Sequence, residues 1–255
     1  MAAYHLAIQD QLGILALQAN RANAMNDRVL QALDDGLTEA RRAQLKGVVL
    51  TGYKHFFSAG LDLIEVYAFD REQMRRFITH WETTMIDLFA FPLPVVAAIN
   101  GAATAGGCIM AMACDYRVMA AEAAIGMTGI RLGISLPAAA LEILRDGLAP
   151  TNLARVLYRG RLFKAEEAIA VGLANEVASR EKLLAVALAR LQEFTQHAGN
   201  PAAALKMALR HNTLKRLQQN SDDLREKFLD LWFSSPARQE LAAARNALLT
   251  KRQPK

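Results

Sequence analysis

Two short apolar runs, Val48-Val49-Leu50-Thr51 and Val95-Val96-Ala97-Ala98-Ile99, are each followed closely by a glycine-bearing loop, and this repetition constrains the chain more than any other feature. Runs this short, rich in β-branched residues and bounded by Gly or Pro, read as buried strands. Between them, residues 70–89 carry apolar side chains at helical spacing, and Pro92 and Pro94 stop that helix before the second strand. A strand, a helix and another strand in that order imply a crossover connection, right-handed when the strands are parallel. The pattern therefore predicts an α/β arrangement in which helices cover a sheet.

The remainder of the chain agrees with this reading up to about residue 135. Residues 4–18 suggest a hairpin around Gln9, Asp10 and Gln11, with the turn ending at Gly13. A helix over residues 27–45, capped by Asn26 or Asp27, and further strands at 116–119 and 124–126 follow from the same periodicities. Beyond Pro137 the text becomes almost wholly helical, with segments at 141–148, 151–158, 165–171, 182–194, 202–217, 222–233 and 238–249. Two parts are expected, a core over residues 1–200 and a helical region over residues 201–255.

At 255 residues and 53% hydrophobic, the chain can bury a substantial core. Its uninterrupted apolar runs fall far short of the roughly 20 residues that a bilayer crossing needs, so no membrane association is expected. The opening MAAYHLAIQD lacks the basic-then-apolar build of a secretory signal, and with two cysteines the composition favours a reducing, cytoplasmic setting. The net charge of +5 is concentrated at the end, where residues 201–255 hold 11 Lys/Arg against 5 Asp/Glu. Such a surplus suits an anionic small molecule or a solvated helical face. A nucleic-acid partner is not expected, because no binding motif or interleaved aromatics accompany the charge. The five histidines, His5, His55, His80, His197 and His211, show no metal-ligand spacing, and Cys108 and Cys114 form no zinc or redox motif. No metal is expected.

The two loops carry the chemistry. His55-Phe56-Phe57-Ser58-Ala59-Gly60-Leu61-Asp62-Leu63 and Asn100-Gly101-Ala102-Ala103-Thr104-Ala105-Gly106-Gly107-Cys108 each follow a strand. Glycines allow close backbone approach, and a helix amino terminus favours negative charge, so the pair could form an oxyanion hole. Either loop alone is equally well explained by close packing of a helix on a strand.

Taken together and in this order, these segments resemble the crotonase superfamily, also called the enoyl-CoA hydratase/isomerase family. The likeness is carried by Asn20-Arg21 through Asn26, Phe57-Ser58-Ala59-Gly60-Leu61-Asp62-Leu63, Pro94 to Gly101, Ala105-Gly106-Gly107-Cys108 and Cys114-Asp115, and it continues to the carboxyl end. The resemblance implies an α/β crotonase (ClpP-like) fold, a repeated ββα core followed by a helical trimerisation region. It implies a homotrimer or a hexamer built as a dimer of trimers, and a coenzyme A thioester as ligand with no further cofactor. It also implies that the N–H groups of Leu61 and Gly106 polarise the thioester carbonyl. Ala59, Gly60, Leu61, Asp62, Leu63, Ile64 and Gly106 would contact the substrate, with the backbone of residues 61–64 reading the adenine.

The proton-transfer positions depart from the family's pattern. Where its hydratases carry two glutamates, this chain has Ile109 and Gly129, and a third acidic position of some relatives falls on or beside Pro137. Each missing acid or base costs a factor of about 10² to 10⁴, so ordinary hydration should be poor. Glu65 is the nearest substitute proton carrier, although a carboxylate at a helix start also serves as a solvated charge. Glu142 and Arg131 read as surface or salt-bridged groups, while Thr104, Thr128 and Ser135 can only hydrogen-bond near neutral pH. Three functions remain open: a hydratase or isomerase with a displaced proton carrier, an acyl-CoA decarboxylase, and a non-catalytic acyl-CoA-binding scaffold.

Overall fold

The computed structural model describes residues 2–197 and 201–252. β1 (Tyr4–Gln9) and β2 (Leu12–Leu17) form the expected hairpin, paired antiparallel, with Asp10 and Gln11 at positive φ in the two-residue turn. β2 lies parallel to β3 (Gly47–Thr51), β3 to β5 (Val95–Ile99), β5 to β7 (Tyr116–Ala120), and β7 to β10 (Glu176–Ala178). Every residue of β3 and of β5 is buried, which is why both read as unbroken apolar runs.

A second sheet runs alongside. β4 (Phe56–Ser58), β6 (Ala102–Thr104) and β8 (Ala124–Gly126) are mutually parallel, and β9 (Phe163–Lys164) closes the edge antiparallel to β8. Of these, only β8 is anticipated by the sequence pattern, since strands this short leave no periodicity of their own. Together the two sheets make the repeat visible. The pairs β3–β4, β5–β6 and β7–β8 each give one strand to the large sheet and the next to the small one. Helix follows every pair: α2 (Leu63–Val66) with α3 (Arg71–Phe89), then α4 (Gly106–Ala113), then α5 (Ala138–Gly147) after a 3₁₀ turn at Gly129–Leu132.

Local chemistry sets the helix starts. Asn26 caps α1 (Asp27–Arg42) by accepting from Val29 N, and Asp70 with Gln73 forms a capping box at the start of α3. Further on come α6 (Pro150–Leu157), α7 (Ala165–Val171), α8 (Leu183–Thr195), α9 (Pro201–Trp232) and α10 (Ser235–Arg252).

Two expectations are corrected here. The region beyond Pro137 is not wholly helical, because β9 and β10 interrupt it and β10 completes the large sheet. One helix, α9, spans Pro201–Trp232 where the pattern suggested two over 202–217 and 222–233; packing on α3 and α5 carries it through the weak helix formers between them. The expected division at residue 200 falls on 198–200, which lie outside the described residues. Among the described residues, no helix is long and apolar enough to cross a membrane.

Candidate active site

The two glycine loops are neighbours because β4 and β6 are. Phe56 lies opposite Ala102 and Ser58 opposite Ala103, so the chain leaves both strands side by side. At Gly60, φ is 81°, and a Cβ would stand 2.7 Å from Thr104 O and 3.3 Å from Gly106 N. Only glycine fits that contact between the loops. The first loop is tied down by Met25, whose N–H donates to Gly60 O at 2.7 Å and whose carbonyl accepts from Asp62 N at 2.9 Å. In this parallel bridge the flanking residues make the bonds, so the N–H of Leu61 itself points away from Met25.

The second loop turns through Ala105, at φ 50° and ψ −110°, a costly conformation for a residue with a side chain. The Ala105 N–H is used, donating to Gly126 O at 2.9 Å. Gly106 comes next as the first residue of α4, where an N–H has no intrahelical acceptor and the helix dipole is positive.

A cavity of about 230 Å³ lies where the carboxyl ends of β4, β6 and β8 converge, the crevice position that parallel strands commonly offer to ligands. Leu61 and Leu63 come from the first loop, Gly106 and Ile109 from the second, and Met127 and Gly129 from the segment after β8. Ile78 and Trp81 of α3 and Phe228 of α9 complete the enclosure. Among the described residues, no Asp, Glu, His, Lys, Arg, Cys or Tyr lines it. A neighbouring cavity of about 850 Å³ shares the wall formed by Met127, Gly129, Ile134, Ser135 and Leu136.

Ala59, Leu61, Leu63 and Gly106 thus meet at the cavity, whereas Gly60, Asp62 and Ile64 do not line it. Gly60 sits behind the loop contact, and Asp62 is buried as the cap of α2, accepting from Ile64 N at 3.2 Å. Glu65 is corrected: its carboxylate is not brought to the cavity. It is exposed and accepts from Asn26 Nδ2 at 2.7 Å, because the single turn of α2 buries Val66 and turns residue 65 outward. Ile109, Gly129 and Pro137 all line the cavity, so the positions where the resemblance seeks acids face it without a carboxylate.

The other candidates fall elsewhere. Glu142 is buried between Arg145 and Arg216, each at 2.6 Å, while Arg131 and His55 are exposed. Cys108 and Cys114 are buried, and burial pushes both thiols up to about 12. Of the four methionines at 110, 112, 119 and 127, Met127 lines the cavity and the others are core. Sequence reasoning misses Trp81 and Phe228. Helical spacing marks such residues as buried but does not say which cavity they will meet. It also misses Glu82, a buried carboxylate just outside the lining. Glu82 accepts from Ala139 N at 3.1 Å and Arg225 Nε at 2.7 Å, and burial holds its pKa above the ordinary value.

Residues 8–255 match the family model described as enoyl-CoA hydratase/isomerase. The chain belongs to that family. A probable enoyl-CoA hydratase of Bacillus subtilis is 27% identical over 100% of this chain and 98% of its own length. A putative enoyl-CoA hydratase of Thermus thermophilus is 38% identical over 67% of each chain. Human mitochondrial enoyl-CoA delta isomerase 1 is 31% identical over 69% of this chain and 60% of its own. Among solved structures, an enoyl-CoA hydratase from Mycobacterium ulcerans superposes with a TM-score of 0.83 at 25% identity, covering 89% of this chain and 99% of that one. Human mitochondrial delta3-delta2-enoyl-CoA isomerase gives a TM-score of 0.89 at 24% identity, over 98% and 100% of the two chains, a likeness of fold. The crotonase fold expected from the sequence is the observed one.

Proposed function

We propose that this chain is an acyl-CoA enzyme of the hydratase/isomerase class that stabilises a thioester enolate with the N–H groups of Leu61 and Gly106. One observation carries the reading: both residues wall the same small cavity, and among the described residues no titratable side chain joins them there. As an enolate forms, negative charge gathers on the thioester oxygen. Fixed donors in a dry site are worth most against such charge, and losing one costs about 3 kcal/mol. The backbone of residues 61–64 would meet the adenine, and the basic carboxyl end suits the phosphates of coenzyme A. Exposed Leu205 and Leu209 on α9 support association of copies, a trimer by the resemblance.

The same observation favours, as a second reading, a different reaction on the same scaffold, decarboxylation. With no base among the described residues that line the cavity, water addition lacks its usual proton carriers there. An enolate can instead arise by breaking a carbon–carbon bond: the electron pair of a departing carboxylate enters the thioester, carbon dioxide leaves, and solvent supplies the final proton.

Incubation with crotonyl-CoA, butyryl-CoA and malonyl-CoA, followed by mass spectrometry, tests this. The expected result is binding of all three, slow hydration of crotonyl-CoA, and conversion of malonyl-CoA to acetyl-CoA. Fast hydration of crotonyl-CoA would overturn the base-free reading, and binding without any turnover would leave a non-catalytic scaffold.

A further inference from the structure

One residue outside the cavity touches every element that holds the two N–H groups. The main chain of Met25 bonds on either side of Leu61, donating to Gly60 O at 2.7 Å and accepting from Asp62 N at 2.9 Å. Its side chain is fully buried and reaches the second loop and α3. A Cβ added at Gly106 would stand 2.9 Å from Met25 Sδ, so the thioether lies against the first residue of α4, where glycine leaves it room. The same sulfur accepts from Trp81 Nε1 at 3.1 Å. A thioether is a weak acceptor for a buried indole N–H, and methionine brings in exchange an unbranched chain that fits irregular gaps. Trp81 lines the cavity and Met25 does not, so Met25 can act on the chemistry only through its neighbours.

We propose that Met25 is a positioning residue, which sets the spacing and aim of the Leu61 and Gly106 N–H groups so that both meet one enolate oxygen. This rests on the enolate reading above. Its backbone fixes the loop of Leu61, and its sulfur backs Gly106 and Trp81, so the distance between the two donors is set within a single residue. Fixed donors stabilise developing charge because they need no rearrangement as it appears. That advantage depends on placement, since a shift of about 1 Å in a reacting group can cost about 10²-fold. Shortening the side chain leaves a void behind Gly106 and Trp81, and the surroundings relax into such a void only in part, moving the groups that line it.

The test follows the ionisation of bound acetoacetyl-CoA, whose enolate absorbs in the ultraviolet, through a pH titration of the full-length protein. In the parent chain the two donors should bring the enolisation midpoint below that of the free thioester. Met25→Ala should move the midpoint back up by about one pH unit, a tenfold loss of enolate stabilisation. Met25→Leu, which keeps most of the volume, should move it about half as far. Butyryl-CoA stays a neutral thioester, and its affinity, read by calorimetry, should fall by no more than about twofold in either variant. If Met25→Ala does not fold, Met25→Leu decides alone. An unmoved midpoint, or equal losses for the enolate and for butyryl-CoA, would overturn the role of Met25 and leave the oxyanion reading in place. A parent chain that fails to bind acetoacetyl-CoA, or binds it without lowering the midpoint, would remove the enolate reading and this inference with it.

Discussion

The cavity and the seam beneath α9 bury polar groups in opposite ways. At the seam, charges are matched one against another: Asp115 bridges Lys206 and Arg210, both at 2.9 Å, Glu142 meets Arg216 at 2.6 Å, and Glu82 meets Arg225 at 2.7 Å. Each pair joins α9 to the core. Burial still tells on them, holding Glu82 above and Lys206 below their ordinary pKa values. In the cavity, among the described residues, no charged side chain appears; its polar groups are main-chain dipoles, hydroxyls and the indole of Trp81. The contrast teaches where this chain employs its buried carboxylates. The three at this seam hold a helix, and each already has a cationic partner, so none of the three is free to take a proton from a substrate. Backbone N–H groups need no counter-ion and no particular pH.

The largest expected effect comes from unbalancing the seam. Asp115→Ala leaves Lys206 and Arg210 without their carboxylate, and denaturant unfolding should show a loss of about 3–5 kcal/mol. In the cavity, Gly106→Pro deletes one N–H. Turnover in a steady-state assay should fall by about 10² to 10³, and a variant retaining full activity would remove Gly106 from the site. The two regions can also be made more alike. Ile109→Glu places a carboxylate in the cavity with no cation beside it. Hydration of crotonyl-CoA should rise by about 10², with a pH profile whose midpoint lies above the usual carboxylate value, since burial disfavours the charged form.

The smallest effect concerns the two thiols, where burial outweighs the pull of the nearby Arg117 guanidinium. Burial pushes both up to about 12 from the ordinary thiol value of 9.0, so the folded state holds more protons than the unfolded one between those limits. Their contribution to stability is complete below pH 9.0 and is lost as pH rises toward about 12. Replacing Cys108 and Cys114 by Ala should therefore flatten the decline in unfolding free energy over that alkaline range, measured against the parent chain.

How much of this the sequence discloses depends on the length of the signal. β3 and β5 are buried on both faces and appear as apolar runs, and α1 and α3 announce themselves through Asn26, Asp70 and helical spacing. β4 and β6, the strands that bring the loops together, are too short to leave a pattern, so the loops were legible and their junction was not. Glycine punctuation marks the two loops, but Leu61 and Gly106 could be named within them only through the family resemblance. Trp81 and Phe228 could not, because they reach the cavity from helices remote in sequence, and nothing local distinguishes them from other buried aromatics. Glu65 misled for a related reason: its distance along the chain from Leu61 is short, but one helical turn is enough to direct it to solvent.

The central claim is geometric, and a crystal structure of the protein with bound butyryl-CoA tests it directly. The thioester oxygen should lie about 2.7–3.1 Å from the nitrogens of both Leu61 and Gly106, with the acyl group in the cavity that Ile109 and Gly129 line. A thioester seated elsewhere, or an oxygen touching neither nitrogen, would contradict the account.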